Sequence, residues 1–154
     1  PKVPMSPIVK NPYDPRQRQD LSANEAALLH FMSDCMHGTD MSLVDRYVSS
    51  DYIQHTPGIG QGREGLRRYL QEVAWKRPGR HQWRPIHLLA AGNFVILHKL
   101  LPATVIADFM RFDDQGLMAE HWDVVQPLPE PGYDPMRLST ENFSRFAALF
   151  KIDA

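Results

Sequence analysis

The sequence predicts an α+β fold in which helices pack against one face of a sheet. In the first half of the 154-residue chain, apolar residues recur at helical spacing. The second half instead contains four short runs rich in β-branched and aromatic residues, separated by turn residues. Helices followed by strands, rather than alternating with them, are typical of the α+β class.

Three helices are predicted before the strands. Ser22 and Glu25 form a capping box at the start of the first helix, and Gly38 ends it. A second helix covers residues 41–48, and a third covers residues 63–76, with Leu66, Tyr69, Leu70 and Val73 on its apolar side. Between them, "DYIQHTPGIGQG" is a brief extended segment that enters a loop.

The four β-rich runs cover residues 81–92, 93–101, 104–112 and 117–128. The turn sequences "AGN" and "DDQG" suit hairpins between the first and second runs and between the third and fourth. Pro85 lacks a backbone donor, so the first run is predicted to be an edge strand or to be bulged at that residue.

Proline-rich segments at both ends predict extended arms around a single domain. The arms cover residues 1–20 and 131–154, and the compact domain covers residues 21–130. A closing helix is predicted around residues 140–150. The arms are expected to pack on the body or on a dimer partner, with three aromatic anchors: Phe143, Phe146 and Phe150.

Composition and charge narrow the classes of function. The net charge is −1 with histidine neutral, which does not predict a nucleic-acid surface or a membrane-seeking face. No apolar run approaches the roughly 18–20 residues that span a bilayer. The single cysteine, Cys35, cannot form an internal disulfide, lies in a predicted helix, and is interpreted as a buried thiol. A reduced, cytoplasmic setting is expected.

The last β-rich run, "LMAEHWDVVQPL", carries the main candidate chemistry. His121 and Asp123 alternate with Trp122 and therefore share one face of the strand. If that face is buried, desolvation moves the carboxylate toward the pKa of a general base. A surface strand with a solvated His/Asp pair remains the alternative.

The length of the loop before this strand decides what faces the pair. A three-residue loop with Gly116 in the left-handed position places Phe109 opposite His121. A four-residue loop places Asp108 there instead. Gly116 favours the shorter loop, so Phe109 is expected to share the pocket, while the place of Asp108 stays open.

Other histidines are weaker candidates. His98 alternates with apolar residues, which more often indicates a satisfied core histidine than a catalyst, and the same holds for His87. His55 lies where a strand enters a loop and contributes either to function or to capping the loop. No local metal-binding spacing occurs; His121 and Asp123 could supply two ligands of a facial triad, but the third would come from another element. No metal is predicted.

Three segments together are similar to the SnoaL-like polyketide cyclase family of the nuclear transport factor 2-like superfamily. They are "DYIQHTPGIGQGREGLRRYL", "VILHKL" and "IADFMRFDDQGLMAEHWDVVQPLPE", and the similarity spans about residues 24–129. The resemblance implies a cone-shaped α+β fold, in which a curved antiparallel or mixed sheet wraps helices around one deep, mostly apolar cavity. It also implies a homodimer, commonly formed through the sheet.

The resemblance further implies a reaction without metal or organic cofactor. Asp123 takes the place of the carboxylate that removes a proton next to a carbonyl in an aldol-type ring closure. The histidines that would orient it or polarise the carbonyl are His121, His98 and His55. Residues expected to bind the substrate are Tyr52, Phe109, Trp122, Asp108 and Phe112, although Trp122 points away from Asp123 in a regular strand.

The function expected from these features is that of a lyase or isomerase acting on a small apolar carbonyl compound. The same cavity could instead move a double bond or activate water on an epoxide. A non-catalytic module that binds a small ligand or mediates dimerisation is the alternative from another class.

Overall fold

The computed structural model describes residues 11–130 and 132–136 and shows the predicted α+β class. Its helices and strands are α1 (Ala23–His30), α2 (Ser42–Tyr47), β1 (Val48–Gln54), α3 (Gly62–Glu72), β2 (Arg84–Ala91), β3 (Phe94–Leu100), β4 (Thr104–Phe112) and β5 (Met118–Pro127). The closing helix predicted around residues 140–150, with its three phenylalanines, lies outside the described residues.

The five strands form one curved, mixed sheet. Their order is β1-β5-β4-β3-β2, with β1 parallel to β5 and every other pair antiparallel. Strand β2 is at the edge, and its pairing with β3 is irregular between Pro85 and His87. Both features predicted from Pro85 are therefore present. The described part of the N-terminal arm lies along this edge, where the Tyr13 carbonyl accepts a hydrogen bond from the Leu88 amide.

The first helix begins as predicted but changes its geometry. Ser22 and Glu25 form the complete capping box of α1. The segment Phe31–Met36 then continues as a π-helical turn instead of the predicted α-helix. Such turns are often found at functional sites, and this one presents Phe31 and Met32 to the interior of the sheet.

The helices pack into the concave face of the sheet. Helix α3 buries Leu66 and Leu70 there. Val73, predicted on the same side, is 46% exposed because α3 ends at Glu72 and the backbone leaves the helical region. Within the described residues, no helix is long and apolar enough to cross a membrane.

Candidate active site in the concave face of the sheet

The hairpin between β4 and β5 has the expected loop followed by a bulge. Gly116 has φ 77°, and the Asp113 amide donates to the Leu117 carbonyl across a three-residue loop. The register then shifts, because Arg111 pairs with Glu120 while Phe112 pairs with Met118. One extra residue, Ala119, is thereby inserted into β5.

This bulge changes which residues face the His/Asp pair. Met110 lies opposite His121, and Asp108 lies opposite Asp123. The prediction that Phe109 faces His121 is wrong; Phe109 pairs with Trp122 on the outer face of the sheet. Asp108, the residue left open by the sequence, is 3% exposed and lines the interior.

A small cavity lies between the concave face of the sheet and the helices. It offers about 50 Å3 of space for the centres of water-sized molecules. Most of its wall is apolar: Phe31, Met32, Met36, Val48, Ile59, Leu66, Leu101, Ile106, Met110 and Met118. Its polar lining includes Tyr52, Gln54, Lys99, Asp108, His121 and Asp123. An apolar wall with a few convergent polar groups is the usual form of a ligand site.

His121 is held through both of its ring nitrogens. Nδ1 lies 2.8 Å from Gln54 Oε1, and Nε2 lies 3.0 Å from Asp108 Oδ1. The Gln54 oxygen also accepts the Thr56 backbone N–H, which fixes the orientation of the amide. Both ring nitrogens therefore have an oxygen partner, and these contacts fix the orientation of the imidazole.

Lys99, like Gln54 and His37, is a site residue that the sequence interpretation missed. Its side chain points into the cavity, is 4% exposed, and places Nζ 2.8 Å from Asp108 Oδ2. Burial would raise the pKa of Asp108, but the charges of Lys99 and His121 outweigh burial and hold that pKa well below its usual range. Asp108 is therefore an ionised carboxylate held between Lys99 and His121.

Asp123 differs from Asp108 although the two carboxylates face each other. It is partly exposed, lines the cavity and makes no hydrogen bond or ion pair with the described residues. Its carboxylate is thus available to a ligand. Nearby, Tyr52 is 4% exposed and its hydroxyl accepts a hydrogen bond from the Gln54 amide. Burial raises the pKa of Tyr52, which keeps the phenol protonated.

His37 also lines the cavity, from the end of the π-helical turn. Its ring stacks on Trp83 with centroids 4.8 Å apart, and it is 4% exposed. Burial, reinforced by the charge of Lys99, lowers the pKa of His37 to about 3, so the imidazole is neutral near pH 7. Its Nε2 has no hydrogen-bond partner among the described residues.

Several predicted site residues lie away from the cavity. His98 is on the outer face of β3, where its ring stacks on His87 with Nδ1 atoms 3.0 Å apart. His55 stacks on Trp122 and contacts Glu120 Oε1 at 2.8 Å. Phe112 is buried in the core but is not among the residues that line the cavity. Of the nine predicted residues, the structure brings together four: Asp123, His121, Tyr52 and Asp108.

The same cluster has one property of a metal site. Asp108, His121 and Asp123 each offer a ligand atom, all within 4.8 Å of one another, and Asp108 is the third ligand from another element. The other contacts oppose a divalent cation. Lys99 already neutralises Asp108, and both nitrogens of His121 already contact oxygen partners.

Comparisons with known proteins identify the fold. No family model matches the chain, and no curated protein matches it. Among solved structures, a SnoaL-like protein of unknown function from Burkholderia thailandensis is 14% identical with TM-score 0.59, covering 69% of this chain and 97% of that chain. A nuclear transport factor 2-like protein of unknown function from Burkholderia xenovorans is 16% identical with TM-score 0.57, covering 76% and 94%.

A third structure is a steroid delta-isomerase from Pseudomonas aeruginosa, 23% identical with TM-score 0.55, covering 71% of this chain and 84% of that chain. The chain therefore has the nuclear transport factor 2-like fold of the SnoaL-like proteins, as the resemblance of its sequence implied. Likeness at these identities establishes the fold alone.

Proposed function

We propose that this protein catalyses a cofactor-independent acid/base reaction on a small apolar carbonyl compound, either an isomerisation or an aldol-type closure. The observation that carries the proposal is the carboxylate of Asp123, which has no hydrogen-bond or ion-pair partner among the described residues and lines a mostly apolar cavity beside His121. A carboxylate placed in this way is suited to accept a proton from carbon.

The neighbouring groups have separable roles in the proposed reaction. Asp123 removes the proton next to the carbonyl. Lys99 stabilises the enolate oxygen, because its ammonium lies in the cavity wall and has a third donor beyond its contacts with Asp108 and Met32. Both ring nitrogens of His121 already have oxygen partners, so His121 acts by positioning Asp108.

The dimensions of the cavity favour a small substrate. The cavity offers about 50 Å3 of space for the centres of water-sized molecules. This space suits a compact ketone or ester better than a fused-ring polyketide. The presence of a steroid delta-isomerase among proteins of this fold supports isomerase chemistry as compatible with the scaffold.

The test is hydrogen–deuterium exchange at the α-carbon of a simple ketone. In deuterated buffer, the protein is expected to accelerate exchange into cyclohexanone, followed by NMR, above the buffer rate. Asp123→Asn preserves shape but removes the base, so it is expected to reduce this acceleration by about 10²–10⁴-fold.

A matched control uses the same chemical change at an exposed site. Asp51 is exposed on β1, so Asp51→Asn is expected to exchange at the wild-type rate. If the Asp123→Asn variant retained wild-type exchange, the general-base role would be refuted.

A non-catalytic ligand pocket is the second candidate, and the methionines of the wall favour it. Four of them line the cavity: Met32, Met36, Met110 and Met118. Flexible thioether side chains adapt to varied apolar ligands. This candidate predicts that wild-type protein binds cyclohexanone, seen as NMR line broadening, without accelerating its exchange.

We also propose that the protein forms a homodimer through the outer face of the sheet. Apolar side chains cover this face across neighbouring strands: Phe94 and Ile96 on β3, Phe109 on β4, and Trp122 and Val124 on β5. Phe94 and Val124 are 36% and 63% exposed. Exposed apolar side chains on neighbouring strands are typical of an interaction surface.

Val124→Lys is expected to dissociate that dimer, since a charge would be buried at the interface. Light scattering should then give the mass of a dimer for wild type and of a monomer for the variant. Val73→Lys, at a 46% exposed site after α3, is the control and should remain dimeric. A wild-type monomer at the same concentration would contradict the proposal.

A further inference from the structure

Lys99 has the features of a reactive amine as well as those of a structural cation. An ammonium carries three donors. Among the described residues, Nζ has the Asp108 carboxylate at 2.8 Å and the Met32 sulfur at 3.5 Å. The carboxylate and the sulfur account for two of the three donors. The nitrogen is therefore buried in a ligand-sized space with incomplete hydrogen bonding.

We propose that Lys99 is a nucleophile that forms a Schiff base with a carbonyl compound bound in the cavity. The geometry that points to this is the convergence of a lysine that is 4% exposed, an adjacent carboxylate and open apolar space, all on the concave face of the sheet. Desolvated lysines of this kind serve as nucleophiles toward carbonyls in other proteins.

The condensation balances with groups that the site contains. Lys99 first transfers one proton to Asp108 across the 2.8 Å ion pair. Because the pKa of Asp108 is held well below its usual range, the neutral amine and the carboxylic acid form only as a minor species, which the following attack consumes. The amine nitrogen attacks the carbonyl carbon, and its proton passes to the former carbonyl oxygen, which gives a carbinolamine. Asp108 then returns its proton to that hydroxyl, the carbon–oxygen bond breaks, and water leaves. The products are a protonated imine on Lys99, ionised Asp108 and one water.

The charges of the site suit this product. A protonated imine has the same charge as the ammonium, so Asp108 keeps a counter-ion at each end of the reaction, and His121 still holds its other oxygen at 3.0 Å. The neutral His37 imidazole, which also lines the cavity and whose Nε2 has no partner among the described residues, can hold the oxygen that departs as water.

The effect of the imine on catalysis rests on the proposed function. An iminium withdraws electrons more strongly than a ketone, so removal of the α-proton by Asp123 would then give an enamine on Lys99. Formation of the imine itself requires Lys99 and Asp108 and does not require Asp123, which makes the two proposals separable.

Acetylacetone is the probe, because this small diketone condenses with a reactive amine to give a stable enaminone that absorbs in the near ultraviolet. The full chain is expected to gain the mass of one acetylacetone less one water. Peptide mapping should place the label on Lys99, about tenfold or more above the exposed Lys76. Lys99→Arg keeps a cation beside Asp108 but cannot form the imine, and should lose the label and its absorbance.

The outcomes distinguish the proposals. The inference is overturned if Lys99 of the wild-type protein carries no label, or no more label than Lys76. This outcome needs only the wild-type protein, so it does not depend on whether a variant folds. If label is absent but cyclohexanone exchange remains dependent on Asp123, the proposed function stands and the Schiff base falls. If Asp123→Asn is labelled like wild type yet both exchange ketone protons equally, the general-base role falls and the reactive lysine stands.

Discussion

The Lys99→Met variant is expected to lose about 3–5 kcal/mol of its free energy of unfolding, because methionine fills a similar space but removes the ammonium that lies 2.8 Å from the buried carboxylate of Asp108. Asp108 is 3% exposed, so solvent cannot replace the ammonium. Small domains have total stabilities of about 5–15 kcal/mol, so this loss is a large fraction of the whole. Urea unfolding followed by circular dichroism measures it.

Two variants separate the effect of charge from that of shape. Lys76→Met removes an exposed lysine and is expected to change stability by less than about 0.5 kcal/mol. Adding Asp108→Asn to Lys99→Met removes the uncompensated charge and should restore part of the loss. Equal stability of Lys99→Met and wild type would indicate that the cavity is wet enough to hydrate Asp108.

The direction in which the stability of the protein changes with pH follows from the pKa of Asp108. Its pKa in the folded protein is lowered from the ordinary value of 3.8 to about 2. A lowered carboxyl pKa contributes stability that is present above the unfolded-state pKa and is lost as pH falls through the folded-state value. In Lys99→Met the pH dependence of stability reverses, because protonated Asp108 needs no counter-charge. The difference in free energy of unfolding between the variant and wild type should therefore diminish on acidification.

The pairing of His121 with Asp123 was predictable because it depends on alternation alone. The two residues are separated by one position, and the bulge at Ala119 precedes both, so it moves them together. What they face was not predictable. The loop did follow from Gly116, but the residue inserted after it changes the register by one, which exchanges Phe109 for Met110 opposite His121.

Lys99 was missed for a different reason. In "VILHKLL" both alternating sets are apolar apart from one polar residue each, His98 in one and Lys99 in the other. A lysine ordinarily faces water, so the histidine appeared to be the interior residue. The deciding interaction lies on β4, where Asp108 is diagonal to Lys99 across the ladder and within reach of its long side chain.

A second large effect is expected at the contact between α3 and the loop at the mouth of the cavity. Gly65, on α3, packs directly against the backbone of Gly60, and a Cβ at position 65 would overlap the Gly60 carbonyl group. In an ordinary helix interior, glycine to alanine stabilises by about 1 kcal/mol. Here the overlap is with backbone, which cannot rotate away, so steric strain outweighs helix propensity.

The Gly65→Ala variant is therefore expected to lose roughly 1–3 kcal/mol of its free energy of unfolding. The strain should also reach the site, because Gln61 in the displaced loop fixes the end of β1 through two bonds, from the Gln54 amide to Gln61 Oε1 at 2.9 Å and from Gln61 Nε2 to the Gln54 carbonyl at 2.7 Å. Gln54 in turn holds His121. The rate of hydrogen–deuterium exchange at the α-carbon of cyclohexanone should therefore fall in the folded Gly65→Ala protein.

Arg68→Ala, on the exposed side of the same helix, is the matched control and is expected to preserve both stability and exchange. A stabilised Gly65→Ala variant would mean that the loop moves at little cost, and that the Gly60–Gly65 contact does not position the mouth of the cavity. A destabilised variant with unchanged exchange would instead separate the two effects: the contact would support the fold, while the position of His121 would not depend on the two Gln54–Gln61 hydrogen bonds.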